Sequence, residues 1–101
     1  MSDINVLEPE LKNKKKVKEP TFWKVILKND DFTPMNFVID VLQKFFGKSA
    51  GVAEQIMMNV HEQGQGIAGL YTHEIAETKV EQVNTYAKQH NHPFTVTMQE
   101  N

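Results

Sequence analysis

The sequence predicts a two-layer α+β sandwich, with a three-stranded antiparallel sheet packed on three helices in the order β-α-α-β-α-β. Two segments, FWKVILK (22–28) and PFTVTMQ (93–99), alternate apolar and polar residues at the period of two that a half-buried strand requires. Between them, three segments repeat apolar residues every three or four positions, as helices with one buried face do. Capping and breaking residues bracket those segments. Strands interleaved with helices of this length cover one face of a small sheet.

The elements follow in order. In FWKVILK, Trp23, Val25 and Leu27 share one face, and Lys24 and Lys28 the other. Thr33 and Pro34 predict a helix start, with the hydroxyl at N-cap and proline at the first helical position. Met35, Val38, Val41, Leu42 and Phe45 then trace the buried stripe, and Gly47 stops the helix. A second helix opens after Ser49, runs through Val52, Ala53, Ile56, Met57 and Val60, and ends at Gly64. GIAGLY (66–71) predicts a short buried strand. Thr72 caps a third helix, with Ala76, Val80, Val83 and Ala87 inward and Glu74 and Glu77 near its positive end. The last strand sets Phe94, Val96 and Met98 on one face.

Composition narrows the function classes. The chain has 101 residues, one domain's worth, with a formal net charge of −2 and no cysteine. Disulfide frameworks, thiolate metal sites and a cysteine nucleophile are thereby excluded. No apolar stretch is long enough to span a bilayer, and the start has no apolar signal segment, so a cytoplasmic protein is expected. Residues 12–18, KNKKKVK, hold five lysines, and the chain has no arginine. From Thr21 onward six lysines face nine acids, a net −3, while the first 20 residues carry +1. Residues 1–20 therefore read as a flexible extension, and 21–101 as an acidic folded core.

An enzyme would need Asp30, Asp31 and His61 as paired carboxylates and a base, yet no activated-nucleophile motif, phosphate loop or metal-ligand spacing accompanies them. His90 and His92, in HNH, lack further ligands; no catalytic residue, metal or cofactor is expected. The lysine run would attract phosphate, but without arginine or interleaved aromatics it reads as a solvated spacer, so no nucleic acid is expected. A binding pocket fits better. Met57, Val60 and His61, spaced i, i+3, i+4, share a helix face. Facing Met35 and Val38, they would form an apolar hole rimmed by Asn29, Asp30, Asp31 and one imidazole. Those acceptors suit a cationic amine beside a bulky hydrophobic group. Each piece also has an ordinary structural role: turn chemistry for NDD, core packing for the methionines and valines, dipole complementation for His61. Spacing alone leaves both readings open.

VILKNDDFTPMNFVIDVLQKFF, MMNVHEQG, AETKV and HPF together resemble ClpS, the ATP-dependent Clp protease adaptor family, across residues 21–99. The resemblance implies a non-enzymatic adaptor that binds proteins by an N-terminal Leu, Phe, Tyr or Trp and delivers them to a Clp-type AAA+ unfoldase. It implies that Asn29, Asp30, Asp31 and His61 read the α-amino group. Thr33, Met35, Val38, Met57, Val60 and Phe94 would form the side-chain pocket, with Met35 as a gate against β-branched residues. Glu74 and Lys79 would contact the unfoldase's N-terminal domain, and the protein would act as a monomer without a membrane partner. Phe32 stands where many members have tyrosine. Phe94 stands where leucine is commoner, which would narrow the pocket floor. A binding module of another class, such as a nucleic-acid or structural subunit using the lysine-rich tail, is the alternative.

Overall fold

The computed structural model describes residues 21–101. The expected extension, residues 1–20 with its lysine run, lies outside the described residues. The observed elements are β1 (Phe22–Lys28), α1 (Met35–Phe46), α2 (Ala50–Gln63), β2 (Gln65–Thr72), α3 (His73–Gln89) and β3 (Val96–Glu100). They form the expected sandwich. β1 is the centre of the antiparallel sheet, with β2 on one side and β3 on the other.

Burial of the alternating faces holds the layers together. Val25 and Leu27 of β1 pack with Val38, Val41 and Leu42 of α1, Ala53, Met57 and Val60 of α2, and Ala76, Val83 and Ala87 of α3. Burying a Val or Leu side chain contributes about 1.5–3 kcal/mol, so this shared core dominates the stability. Ile26, on the opposite face, is buried as well, flanked across the ladder by Ile67 and Thr97.

Helix ends follow the sequence signals, with one correction. Gly47 and Gly64 end α1 and α2 in the left-handed conformation that glycine adopts without a Cβ clash. The Ser49 hydroxyl accepts from the Val52 N–H at 3.3 Å, and Thr72 holds the N-cap position of α3 without a side-chain cap bond. Thr33, however, does not cap α1. The cap position belongs to Pro34, whose ψ of 142° is extended and whose carbonyl accepts from Phe37 at 3.0 Å. The Thr33 hydroxyl donates instead to the Asp30 carboxylate.

Other expectations also shift. GIAGLY is not a short buried strand: β2 runs eight residues along a sheet edge, and only Ala68 is fully buried. The ladder slips at Ala68, between the Val25–Gly69 and Ile26–Ile67 pairs, as a bulge does on an edge strand. α2 buries a narrow stripe of Ala53, Met57 and Val60, and Val52 beside it is 45% exposed. The last strand starts at Val96, which leaves Phe94 in the preceding connection. There Asn84 of α3 stands in for a strand neighbour, donating to the Val96 carbonyl at 3.1 Å and accepting its N–H at 2.9 Å.

Gly66 marks where α2 presses on β2. A Cβ at this position would lie 2.8 Å from Val60 Cγ2. A Gly→Ala change at a compatible site stabilises by about 0.4–1 kcal/mol, but valine is stiff and cannot swing aside. Gly66→Ala should therefore destabilise, by roughly 1–3 kcal/mol as overpacking does. Denaturant unfolding checks the sign; unchanged or increased stability would contradict the contact.

Candidate functional site

One end of the sheet gathers three connections. At the end of β1, Lys28 pairs across the ladder with Gln65, and the Asn29 N–H donates to the Gly64 carbonyl at 3.0 Å. The loop leaving β1 is thus tied to the C-terminus of α2, where His61 occupies the last turn. On the other side, Leu27 pairs with Val96 and the Lys28 N–H donates to Thr95, which draws Phe94 to the same end. The turn 30–33 then folds tightly: the Thr33 N–H donates to the Asp30 carbonyl at 3.4 Å, and the Thr33 hydroxyl to its carboxylate. That turn starts α1 with Met35 and Val38 on the flank of the gap.

The gap is a cavity of about 260 Å³. The structure brings to it all ten expected residues: Asn29, Asp30, Asp31, Thr33, Met35, Val38, Met57, Val60, His61 and Phe94. Burial divides them. Val38, Met57, Val60, Phe94 and Thr33 are buried and form the inner wall. Among these only Thr33 is polar, and Asp30 already accepts from its hydroxyl. Asn29, Asp31, Met35 and His61 are exposed and Asp30 half-buried, so the oxygen and nitrogen acceptors stand at the mouth. Asn29 donates to Asp31 at 3.3 Å, which leaves its amide oxygen free to accept.

Two further residues line the cavity, Lys28 and Pro34. Both are chain neighbours of expected ones, and that adjacency was the signal available. Lys28 carries a positive charge, but its Nζ is directed to Gln65 Oε1 at 3.4 Å. Glu74 and Lys79 belong to α3 and do not line this cavity. Glu74 is exposed. Lys79 donates to the Phe45 carbonyl at 2.7 Å and lies over the Phe46 and Tyr71 rings, so it secures the end of α1. Burial raises the Tyr71 phenol above its ordinary pKa, which keeps it neutral.

His90 packs at a tilt against Phe37 and Tyr86, and His92 against Phe37. Among the described residues no group of three or more His, Asp or Glu side chains is placed to hold a metal ion. No helix among them is long and apolar enough to cross a membrane.

Fold and cavity define a small α+β domain with an apolar pocket, rimmed by acceptors, at one end of its sheet. Comparison with known proteins gives this class a family. The family model described as ATP-dependent Clp protease adaptor protein ClpS matches residues 18–97. The ATP-dependent Clp protease adapter protein ClpS of Parvibaculum lavamentivorans is 54% identical over 88 residues, covering 87% of this chain and 80% of the relative. That of Paraburkholderia xenovorans is 49% identical over 98 residues, covering 97% and 91%. Among solved structures, Agrobacterium tumefaciens ClpS2 bound to L-phenylalaninamide superposes with a TM-score of 0.80 at 32% identity, over 82% of this chain and all of that one. The chain belongs to the ClpS family of Clp protease adaptors.

Proposed function

We propose that this adaptor captures proteins by a bulky hydrophobic N-terminal residue, Leu, Phe, Tyr or Trp, and hands them to a Clp-type AAA+ unfoldase in the cytoplasm. The observation that carries this is the division of one cavity into a buried apolar wall and an acceptor-rich mouth. A protein N-terminus has the same two parts: an ammonium with three donors, and a side chain two bonds away. L-phenylalaninamide, the molecule bound to the ClpS2 relative, carries both, with an amide where a peptide bond would continue. An apolar cavity of about 150 Å³ accommodates benzene, so the space here suffices for one aromatic ring and its amine.

In this reading Asn29, Asp30, Asp31 and His61 accept from the ammonium, and Thr33, Met35, Val38, Met57, Val60 and Phe94 enclose the side chain. Asp30 has a double task, because one carboxylate oxygen also holds Thr33. A buried Leu or Phe side chain contributes about 1.5–3 kcal/mol, and each hydrogen bond to the charged amine about 1.5–3 kcal/mol before the cost of association. Delivery uses the far side of the domain, where α3 presents Glu74 and, beside it, the exposed Ile75, with Lys79 one turn on. Residues 21–101 act as a monomeric core, and residues 1–20 as an extension to it.

The test is reconstituted proteolysis. A reporter protein beginning with Phe should be degraded by a Clp unfoldase–peptidase pair only when this chain is added, and Glu74→Lys should abolish delivery without changing peptide affinity. Binding of the reporter without accelerated degradation would leave recognition standing and remove delivery.

A further inference from the structure

Phe94 lines the cavity and is 2% exposed, the least of the side chains that do. Behind it stands Phe37 of α1, edge-on, with ring centroids 6.5 Å apart and planes at 80°. Phe37 is held in turn. Tyr86 of α3 stacks on it at 5.4 Å and 14°, and His92 packs on it at 4.4 Å. The outer members are anchored as well: the Tyr86 hydroxyl donates to Asp40 at 2.9 Å, and the His92 backbone N–H to the Ala87 carbonyl at 2.9 Å. Phe94 is therefore the cavity-side tip of a column of rings drawn from α1, α3 and the connection before β3.

A column of this kind has little give. Protein interiors are packed as densely as organic crystals, and aromatic rings neither bend nor compress. An aliphatic floor could rotate to accept a longer side chain; a phenyl with rings behind it cannot. We infer that the Phe94–Phe37 column, clamped by Tyr86 and His92, fixes the depth of the pocket and selects single-ring and isobutyl side chains against the fused rings of tryptophan. Phe94 is the specificity-determining contact, and Phe37 and His92 are positioning residues. A ligand phenyl additionally meets the Phe94 ring in the edge or offset geometry that aromatic pairs favour. This rests on the reading that the cavity takes N-terminal residues, and ranks tryptophan last among the four it captures.

The experiment is a titration of the whole protein with four peptides that differ only at residue 1: Phe, Tyr, Leu and Trp. The Trp peptide should bind at least about tenfold more weakly than the Phe peptide, the discrimination that overpacking a hydrophobic pocket provides. Phe94→Leu should bring the two within about threefold, the shorter residue vacating depth. Phe37→Leu and His92→Ala should narrow the gap in part, and His92→Phe, which restores a ring, should preserve it. Partial unfolding of a variant weakens every peptide by one factor and leaves the ratio untouched, so only a change in the ratio reports the column. Equal binding of Trp and Phe by the wild type, or an unchanged ratio in Phe94→Leu, overturns the inference. Acetylating the Phe peptide separates the two claims: if that abolishes binding, recognition of N-termini survives such a result, whereas if no peptide binds at all, both fall.

Discussion

Replacing Asn29 and His61 together by alanine should cost a Phe-initiated peptide at least about a hundredfold in affinity, with little change in thermal stability. Each side chain offers one acceptor to the ligand's ammonium, and a hydrogen bond to a charged group is worth about 1.5–3 kcal/mol. Two such bonds correspond to a factor of about a hundred or more. Both residues are exposed, so the fold depends on them only weakly. The bond that ties the loop to α2 uses the Asn29 backbone N–H, which alanine retains. Removing His61 from the last turn of α2 forfeits at most a small dipole term, about 0.3–1 kcal/mol. Fluorescence anisotropy beside a melting curve makes the comparison. A loss below about threefold, or a matching loss of stability, would contradict the assignment. Asp30→Ala is the contrasting case, since its carboxylate braces the buried Thr33 and the turn as well.

Met35→Ala should admit N-terminal Ile and Val, raising their affinity by at least about tenfold while Leu and Phe change little. If the ammonium is held at the mouth, the ligand's Cβ must also lie near the mouth. Met35 stands there, 44% exposed, at the first position of α1. Its unbranched thioether can lie over a single substituent at Cβ, but a second substituent occupies the same space. Alanine vacates that space, and half-exposure keeps the stability cost modest. Competition binding with Leu-, Phe-, Ile- and Val-initiated peptides resolves the outcome. Continued rejection of Ile and Val, with Leu bound normally, would remove Met35 as the gate.

Local signals in the sequence were faithful where one element decided the matter. The alternation of Trp23, Val25 and Leu27 marked a half-buried strand, and Gly47, Ser49 and Gly64 bounded two helices. The i, i+3, i+4 spacing of Met57, Val60 and His61 put them on one side of α2, and all three line the cavity. Joining them to Asn29, Asp30 and Asp31 depended on β1–β2 pairing between residues 37 apart, Lys28 and Gln65, which periodicity cannot register. The family resemblance supplied that link. Tertiary competition explains the misses. Thr33 has good capping chemistry, but Asp30 offers its hydroxyl a nearer partner, and the cap moves to Pro34. GIAGLY suggested a short buried strand, although glycine is a poor strand former. Gly66 is there because Val60 comes close, and Gly69 because the Tyr71 ring covers it, within an eight-residue edge strand. The ring column behind Phe94 joins residues from three segments, and no single window of sequence displays it.

The central claim is that the mouth of the cavity reads a free α-amino group while the interior reads the side chain attached to it. Calorimetric titration of one Phe-initiated peptide, free and N-acetylated, tests it directly. Acetylation leaves the phenyl ring and the rest of the peptide intact but removes the charge and two of the three donors. The free peptide should bind, and its acetylated twin should be weaker by at least about a hundredfold, as expected for the loss of two or more charge-assisted hydrogen bonds. Equal affinity for the two peptides would contradict the account, leaving an apolar cleft indifferent to the N-terminus.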